Sequence, residues 1–341
     1  MAEFSTRVII ADPASPDHTA ITEAATLIRA GHLVAFPTET VYGLGGDGLN
    51  PPALGRIYAV KGRPPDNPLI LHVAGQDQLP SVAAEVPEIA YPLMRTFWPG
   101  PLTLVLRKTP RVPDLATGGL TTVAVRMPDH PVALALIRHA GTPLAAPSAN
   151  RSGRPSPTTA QHVLDDLDGA IPLILDGGPT AIGVESTVLD ITCTPPVLLR
   201  PGGVSQGAIE AVVGHIGGST DVALHRRSPG MRYRHYSPRA RVLLLEGASL
   251  ETFQRAIDAA RSRHQRVGCL LRQLALAEMP PGVMIKRMDG CVSDYARGLF
   301  AALRDLDALG VDVILVEGVS EEGLGAAVMD RLRRAASPPE P

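Results

Sequence analysis

Cysteine is scarce in this sequence, and long hydrophobic runs are missing. Its three cysteines, Cys193, Cys269 and Cys291, are widely spaced, so they form neither a Cys-x-x-Cys pair nor an even-numbered disulfide framework. No stretch approaches the roughly 18 apolar residues of a membrane span, and the first residues carry charges where a signal peptide needs an apolar core. We therefore expect a soluble cytoplasmic protein with free thiols and no membrane contact.

An excess of charge and the common catalytic fingerprints are also missing. The formal net charge is −2, which argues against a chain that binds nucleic acid over its whole surface and makes any basic site local. Residues 43–48 have Gly-x-Gly-x-x-Gly spacing, which is a weak signal by itself, and no Gly-Lys-Ser/Thr of a P-loop follows. No Ser-His-Asp order, zinc-ligand spacing or pair of catalytic acids is evident. These absences favour a pocket that positions its ligands, and no protein-bound metal is expected.

The length of the chain and one segment that contains proline and glycine predict two domains. A chain of 341 residues exceeds what one hydrophobic core usually fills. Residues 226–241 show no apolar period and carry two prolines and a glycine, as is typical of a linker. The predicted organisation is a first domain at 1–217, a linker at 218–240 and a second domain at 241–341.

Strand and helix patterns alternate in both predicted domains, which favours the α/β class. In the first domain the patterns predict strands at 6–12, His32–Phe36, Leu69–Val73, Leu102–Leu106, Thr121–Met127, 144–146, 173–175 and 197–199, and helices over 21–28, 51–60 and 131–140. In the second they predict strands at Arg241–Leu245, Val267–Leu271, Val283–Lys286 and Val313–Val316, and helices at Glu251–Arg261, Tyr295–Leu309 and Ala326–Ala335. The second set indicates a small unit with parallel strands.

The stretch KGRPPDNPLILH gathers polar groups that suit an anion. Prolines after Arg63 end the preceding helix, so Lys61 and Arg63 lie at a helix-to-strand turn. Asn67 and His72 bracket the buried strand that follows. A solvated basic turn is the alternative interpretation of the same residues.

Two further segments combine small and polar residues. Residues 37–45 are predicted to form a binding loop whose glycines let backbone amides approach a ligand, and the hydroxyls of Thr38 and Thr40 can donate or accept. Residues 147–156 offer serines and an asparagine suited to ribose, phosphate or adenine edges, although a polar surface loop is the alternative. Arg126 shares a predicted strand face with Thr122, where it is either a surface charge or a carboxylate clamp.

The linker concentrates cations and rings. Arg232, Tyr233, Arg234, His235 and Tyr236 are consecutive, and such a set suits contact with phosphate or a stacked base. A spacer would need only Gly, Ser or Pro. We therefore predict a segment that orders over a bound ligand, with a solvated linker as the alternative.

These motifs together resemble a known family. PTETVYGLG, KGRPPDNPLILH, FWPGPLTLVL, TTVAVRMPDHP, APSANRSGRPSPT, GVESTVLD and LLRPGG are similar to the YrdC-like domain. HYSP and GLGAAVMDRLRRAA resemble the two-domain form of the threonylcarbamoyl-AMP synthases. The resemblance covers nearly the whole chain and implies a twisted, open YrdC-like α/β sheet with a concave, positively charged pocket, followed by a smaller Rossmann-like α/β domain.

The resemblance also implies an activity. Members of this family condense L-threonine, bicarbonate and ATP into threonylcarbamoyl-AMP and pyrophosphate, an adenylyl transfer. A tRNA-modifying transferase complex then passes the threonylcarbamoyl group to the adenosine beside the anticodon in tRNAs that read codons beginning with A. Magnesium is expected to arrive with ATP, no organic cofactor is expected, and a weak contact with RNA is left open.

Site residues follow from the resemblance position by position. The implied catalytic residues are Lys61 and Arg63. Threonine binding is implied for Thr38, Thr40, His72, Arg126, Ala146 and Ser186, where some relatives carry a threonine in place of Ala146, so that only a backbone contact is expected there. ATP binding is implied for Arg63, Asn67, Thr122, Ser148, Asn150, Ser156, Arg200 and Tyr236.

Two other functions remain as alternatives. A double-stranded RNA-binding module could hold phosphates on a basic concave sheet, although a protein that binds along an RNA phosphate backbone needs a broad stripe of basic residues. A carbamoyl transferase that uses carbamoyl-adenylate is the second alternative, because YrdC-like domains also occur there, usually beside further catalytic domains.

Overall fold

The computed structural model describes residues 4–218, 228, 235–274 and 281–337. The chain divides into two compact units. The first takes in Met1–Ser152, Ser156–Ala181 and Glu185–Arg232, and the second takes in Gly153–Pro155, Ile182–Val184 and Tyr233–Pro341. The assignment of two short segments near residues 154 and 183 to the second unit was not predicted from the sequence.

The first unit alternates strands and helices along the chain. Its strands are β1 (Arg7–Ile10), β2 (Val34–Phe36), β3 (Gly43–Asp47), β4 (Ile70–His72), β5 (Leu102–Arg107), β6 (Thr122–Arg126), β7 (Leu144–Ala145), β8 (Leu173–Asp176), β9 (Thr187–Asp190), β10 (Val197–Arg200) and β11 (Gly217–Gly218). Its helices are α1 (His18–Arg29), α2 (Pro51–Lys61), α3 (Leu79–Val82), α4 (Ala90–Phe97), α5 (Asp114–Thr117), α6 (Pro131–Ala140), α7 (Ala160–Leu167) and α8 (Gln206–Val213).

Local chemistry explains where the helices begin and end. The Asp17 side chain accepts a hydrogen bond from the Thr19 amide and caps α1, as is typical of an aspartate at this position. Helix α2 begins with a proline and ends at Gly62 in the left-handed conformation, because a residue without Cβ adopts that turn without strain. Arg63 is therefore the first residue of the turn that follows the helix.

Within the described residues, the strands of the first unit form one mixed sheet in the order β1-β8-β2-β3-β7-β4-β6-β5-β9-β10-β11. Apolar residues of α1 and α6 pack in one core cluster, and those of α2, α4, α7 and α8 pack in another. Helices therefore cover the sheet as the α/β prediction requires, and that part of the prediction is confirmed.

The prediction of a binding loop through residue 45 is wrong in its second half, because Gly43–Asp47 is strand β3, antiparallel to β2. A Cβ at Gly45 would lie 2.7 Å from the Phe36 ring, and one at Gly46 would lie 2.9 Å from Leu33. At these positions the missing Cβ makes room for the side chains of Phe36 and Leu33. The glycines therefore serve packing within the sheet.

The second unit holds a four-stranded sheet in the described part of the chain. It consists of β12 (Arg241–Leu245), β13 (Val267–Leu271), β14 (Met284–Arg287) and β15 (Val313–Glu317), with α9 (Leu250–Arg261), α10 (Val292–Ala308) and α11 (Gly325–Ala336). The order is β12-β15-β13-β14 and every pair is parallel, which confirms the predicted small α/β unit. Among the described residues, none of the helices combines the length and apolar character needed to cross a membrane.

Contacts inside the second unit explain its two short segments. Arg304 Nη2 donates to the Pro155 carbonyl at 2.6 Å, and the Ser237 amide donates to the Gly153 carbonyl at 2.7 Å. A Cβ at Gly183, whose φ is +81°, would lie 2.5 Å from the carbonyl oxygen of Ala296, so only glycine fits there.

Candidate functional site

Sheet register brings polar residues from distant parts of the sequence into one row. His72 pairs with Arg126, Arg126 with Thr103, Thr103 with Val188, and Val188 with Arg200. Residues directly opposite each other on paired strands face the same side of a sheet. Strands β4, β6, β5, β9 and β10 therefore present an imidazole, a hydroxyl and two guanidinium groups along one line.

Thr122, Ala124 and Arg126 share a face of β6, as predicted. Ala124 packs with Ile70, whereas Val123 and Val125 belong to the opposite core cluster. The alternation follows the two-residue period of a strand.

Arg126 is buried, with 3% of its surface exposed, so the interpretation as a surface charge is wrong. Its Nε donates to the Gly100 carbonyl at 3.1 Å, and its Nη1 donates to Thr40 Oγ1 at 2.9 Å. The hydroxyls of Thr40 and Thr38 lie 2.8 Å apart. These contacts hold the guanidinium in a fixed orientation beside two hydroxyl groups, which suits recognition of a carboxylate.

A second hydroxyl and guanidinium group lies at the other end of the row. The hydroxyls of Ser186 and Thr103 are 2.8 Å apart, and Arg200 Nη2 donates to the Ser186 carbonyl at 2.9 Å. All three side chains are buried. Thr103 was not among the predicted site residues, because its role depends on a pairing partner that its own strand does not reveal.

Lys61 joins the two polar motifs. Its Nζ donates to the carbonyls of Ser148 and Asn150, both at 2.5 Å, and the Ser152 amide donates back to the Lys61 carbonyl at 2.8 Å. Burial and the charge of Arg63 lower the pKa of Lys61 well below its usual value, and the nearby Asp166 carboxylate opposes that shift. The basic turn and the Ser-x-Asn loop are therefore one connected structure.

Arg63 is also built into the turn that carries it. Its Nη2 donates to Asn67 Oδ1 at 2.6 Å and to the Pro68 carbonyl at 2.8 Å. The side chain is 8% exposed, and Asn67 is fully buried. The interpretation as a solvated basic turn is therefore wrong.

The other predicted residues have individual surroundings. Ser156 Oγ donates to Glu185 Oε1 at 2.5 Å. The Ala146 amide donates to the Ile70 carbonyl at 3.1 Å, so its N–H belongs to the sheet. Thr122 is buried on the strand face of Arg126.

Tyr236 lies in the second unit. It has a φ of 65°, its ring stacks on Phe300 at 5.3 Å between centroids, and the Arg331 guanidinium carbon is 5.6 Å from the ring centroid. The linker positions Arg232, Tyr233 and Arg234, on which the lid prediction also depends, lie outside the described residues.

His72 is a neutral ring at working pH. Burial, reinforced by the charge of Arg126, lowers the pKa of His72 from 6.5 to about 3, against hydrogen bonds with the backbone of Ile70 and Leu144. Its Nδ1 is buried without a hydrogen-bond partner. A neutral imidazole here can hydrogen-bond a polar ligand without adding charge.

The His72 ring should make the protein sensitive to acid. Because its pKa is lowered on folding, its contribution to stability is complete above about pH 6.5 and is lost as the pH falls toward 3. We expect the free energy of unfolding of the wild type to fall by about 2 kcal/mol more between pH 7 and pH 5 than that of His72→Asn. Denaturant titrations at both pH values measure the difference. The exposed His264→Asn should behave as wild type, and an equal pH dependence in His72→Asn would contradict the expectation.

Sequence reasoning assigned no role to Glu39, which lies between the two threonines and is 6% exposed. Its Oε1 approaches Arg126 Nη2 to 2.5 Å. Neither carboxylate oxygen makes a hydrogen bond, and neither does Nη2. The two charged groups are therefore close together, but they are not aligned for a hydrogen bond. An acid inside a threonine-rich turn is the signal that could have indicated it.

The arrangement suits the binding of charged ligands. Lys61, Arg63, Arg126 and Arg200 are each at most 8% exposed, and desolvated cations bind phosphate and carboxylate groups more strongly than exposed ones. Among the described residues no three His, Cys, Asp or Glu side chains group as metal ligands.

An α/β sheet that presents such a row of cations, hydroxyls and a neutral imidazole defines a protein that binds small anionic ligands. Residues 26–202 match the family described as telomere recombination, which groups Sua5, YciO and YrdC proteins, and residues 204–337 match the threonylcarbamoyl-AMP synthase C-terminal domain. The chain belongs to the Sua5/YciO/YrdC family and has the two-domain form.

Relatives match over nearly the full length. The chain is 52% identical over 320 residues to threonylcarbamoyl-AMP synthase of Pyrococcus abyssi, covering 92% of this chain and 93% of the relative. It is 48% identical over 342 residues to the Bacillus subtilis enzyme of the same name, covering 96% of each. The crystal structure of P. abyssi Sua5 complexed with L-threonine superposes with a TM-score of 0.90 at 49% identity, covering 97% of each chain.

Proposed function

We propose that this chain is an L-threonylcarbamoyladenylate synthase, which condenses L-threonine, bicarbonate and ATP into threonylcarbamoyl-AMP and pyrophosphate. The observation that carries the proposal is the buried Arg126 guanidinium, oriented by Thr40 and Gly100 beside the Thr38 hydroxyl. This set complements the carboxylate and the hydroxyl of threonine. The full-length similarity to enzymes of this name supports the same activity.

The chemistry needs positioning more than covalent catalysis. Threonine carboxylated on nitrogen attacks the α-phosphorus of ATP, and pyrophosphate leaves. Lys61, Arg63 and Arg200 neutralise the phosphates as charge moves onto the leaving group, and Arg126 with His72 and Ser186 holds threonine. Magnesium arrives as part of the nucleotide substrate, held mostly by phosphate and water oxygens.

The product is a reactive mixed anhydride that a tRNA-modifying transferase complex consumes, for tRNAs that read codons beginning with A. A cytoplasmic location is part of this proposal. The burial of Lys61, Arg63, Arg126 and Arg200 disfavours the double-stranded RNA-binding alternative, because cations that track a phosphate backbone must reach the surface.

Pyrophosphate release tests the proposal. We expect release that requires ATP, bicarbonate and L-threonine together, with threonylcarbamoyl-AMP detected by mass spectrometry. L-Serine should be the nearest competitor, because one missing methyl contact changes the transition-state energy by only ~1–3 kcal/mol. Strong pyrophosphate release without any amino acid would contradict the proposal.

The linker prediction is tested at Tyr236. Replacing Tyr236 with phenylalanine keeps a ring to stack on Phe300 but removes the hydroxyl. If Tyr236 touches ATP, the KM for ATP should rise roughly 5- to 10-fold, as expected for one lost hydrogen bond, with an unchanged thermal transition. Trypsin cleavage within 226–241 should also slow when ATP and threonine are added. An unchanged KM for ATP, together with cleavage that does not depend on the ligands, would contradict the prediction and show that the segment only connects the two domains.

A further inference from the structure

Glu39 is a buried carboxylate whose hydrogen-bonding capacity is unused. The residue follows β2 in the turn that also carries Thr38 and Thr40, and both of its oxygens lie without a hydrogen bond in the protein interior. Burying an ionised carboxylate in this way is costly unless donors are supplied. The turn therefore has the character of a site that a hydrogen-bond donor completes.

The charges facing Glu39 leave room for a cation. Arg126 on β6 contacts it, and Asp129 and His130, in the segment that follows β6, are close enough for its charge to act on them. Burial and the charge of Glu39 raise the pKa of Asp129, and burial lowers the pKa of His130, against the pull of Glu39. Two carboxyl groups, those of Glu39 and Asp129, therefore lie near one guanidinium group, that of Arg126.

The adjacent Arg126 and Glu39 match the two charges of an amino-acid zwitterion, whose carboxylate and ammonium groups are attached to the same carbon. We propose that Glu39 binds the α-ammonium group of the amino-acid substrate, while Arg126 binds its carboxylate, and that Glu39 accepts the ammonium proton. This inference rests on the proposed function for the identity of the amino acid. It adds a catalytic residue that the family motifs did not assign.

The proton transfer fits the reaction. The ammonium gives one proton to the Glu39 carboxylate and becomes a neutral amine with a free electron pair. That pair forms the new N–C bond to bicarbonate, and loss of water leaves the N-carboxylate of threonine. Its oxygen then attacks the α-phosphorus of ATP, pyrophosphate departs, and Glu39 returns its proton to solvent. An amine held beside a carboxylate base avoids the need for deprotonation by bulk water.

The first test separates contact with the ammonium from support of Arg126. Calorimetric binding of L-threonine is compared with binding of 3-hydroxybutanoate, which lacks the amino group, for wild type, Glu39→Gln and the exposed control Glu85→Gln. In Glu39→Gln we expect roughly 10- to 100-fold weaker threonine binding, as for loss of a charge-assisted hydrogen bond. The analogue should bind as tightly as before or more tightly, and Glu85→Gln should match wild type. Equal losses for both ligands, or no loss for either, would overturn the proposal.

The second test follows the proton. At saturating threonine, pyrophosphate release by Glu39→Gln should be strongly reduced near neutral pH and should recover with rising pH, roughly tenfold per unit, as solvent deprotonates the amine. A wild-type rate and pH profile would refute the role as proton acceptor. If Glu39→Gln lacks a cooperative thermal transition, Glu39→Asp takes its place. It should keep the preference for threonine over the analogue, and loss of that preference would count against the proposal.

Failure of the proposed function is distinguishable from failure of this inference. If the wild type releases no pyrophosphate with threonine and bicarbonate, the synthase activity fails. A selective loss of threonine binding in Glu39→Gln would still establish the ammonium site.

Discussion

Replacing Arg126 with methionine is expected to reduce pyrophosphate release roughly 100-fold or more, because the variant loses the carboxylate clamp. It should also lower the free energy of unfolding by about 3–5 kcal/mol, since removing one partner of a buried ion pair leaves Glu39 uncompensated. Steady-state kinetics and denaturant titration measure the two effects.

The double variant separates these two effects. Arg126→Met combined with Glu39→Gln removes the stranded charge, so it should recover much of the lost stability while remaining inactive. Arg107→Met, an exposed arginine at the end of β5, should change neither activity nor stability by more than about 0.5 kcal/mol. A fully active Arg126→Met, or a double variant less stable than Arg126→Met alone, would show that this pair does not work as described.

Lys61→Met is the second large effect expected. Methionine fills a similar volume but cannot donate to the carbonyls of Ser148 and Asn150, so two buried acceptors lose their partner and the Ser-x-Asn loop is released from the basic turn. A cost of roughly 2–5 kcal/mol is typical of such a loss. Turnover should therefore fall about 30-fold or more, and protease sensitivity of 147–156 should increase.

Lys108→Met is the matched control, because Lys108 also donates to a backbone carbonyl and pairs with an acid, outside the site. It should retain wild-type turnover. Arg63→Ala should lose activity like Lys61→Met. It should also destabilise its own turn, because Arg63 donates to Asn67 Oδ1 and to the Pro68 carbonyl. Equal activity of Lys61→Met and Lys108→Met would remove Lys61 from the site.

Most elements could be predicted because their patterns are local. The capped helix after Asp17, the turn at Gly62 and strand β12 follow from residue types within a few positions. Strand β3 could not be predicted in this way, because its glycines leave space for the side chains of Phe36 and Leu33, which lie outside the strand. Helix α8 was also missed, since its eight residues include Gly207 and only Ile209 is buried.

The residue types of the site could be predicted from the sequence, but the contacts between these residues could not. Arg126, His72 and Arg200 were identified, yet the row that joins them depends on pairings between distant residues, such as Thr103 with Val188, which no local pattern reveals. Thr103 was missed for the same reason, because its role depends on its pairing with Arg126 on β6. Glu39 was missed although the threonine-rich turn around it is a local signal.

The pairing of His72, Arg126 and Thr103 across three strands also limits how this protein can change. An insertion in a surface connection that carries no site residue only lengthens that connection. A single residue inserted within β4, β5 or β6 would turn every following side chain of that strand to the opposite face. Insertions and deletions should therefore be confined to connections without site residues, and the spacing within β4, β5 and β6 should be kept.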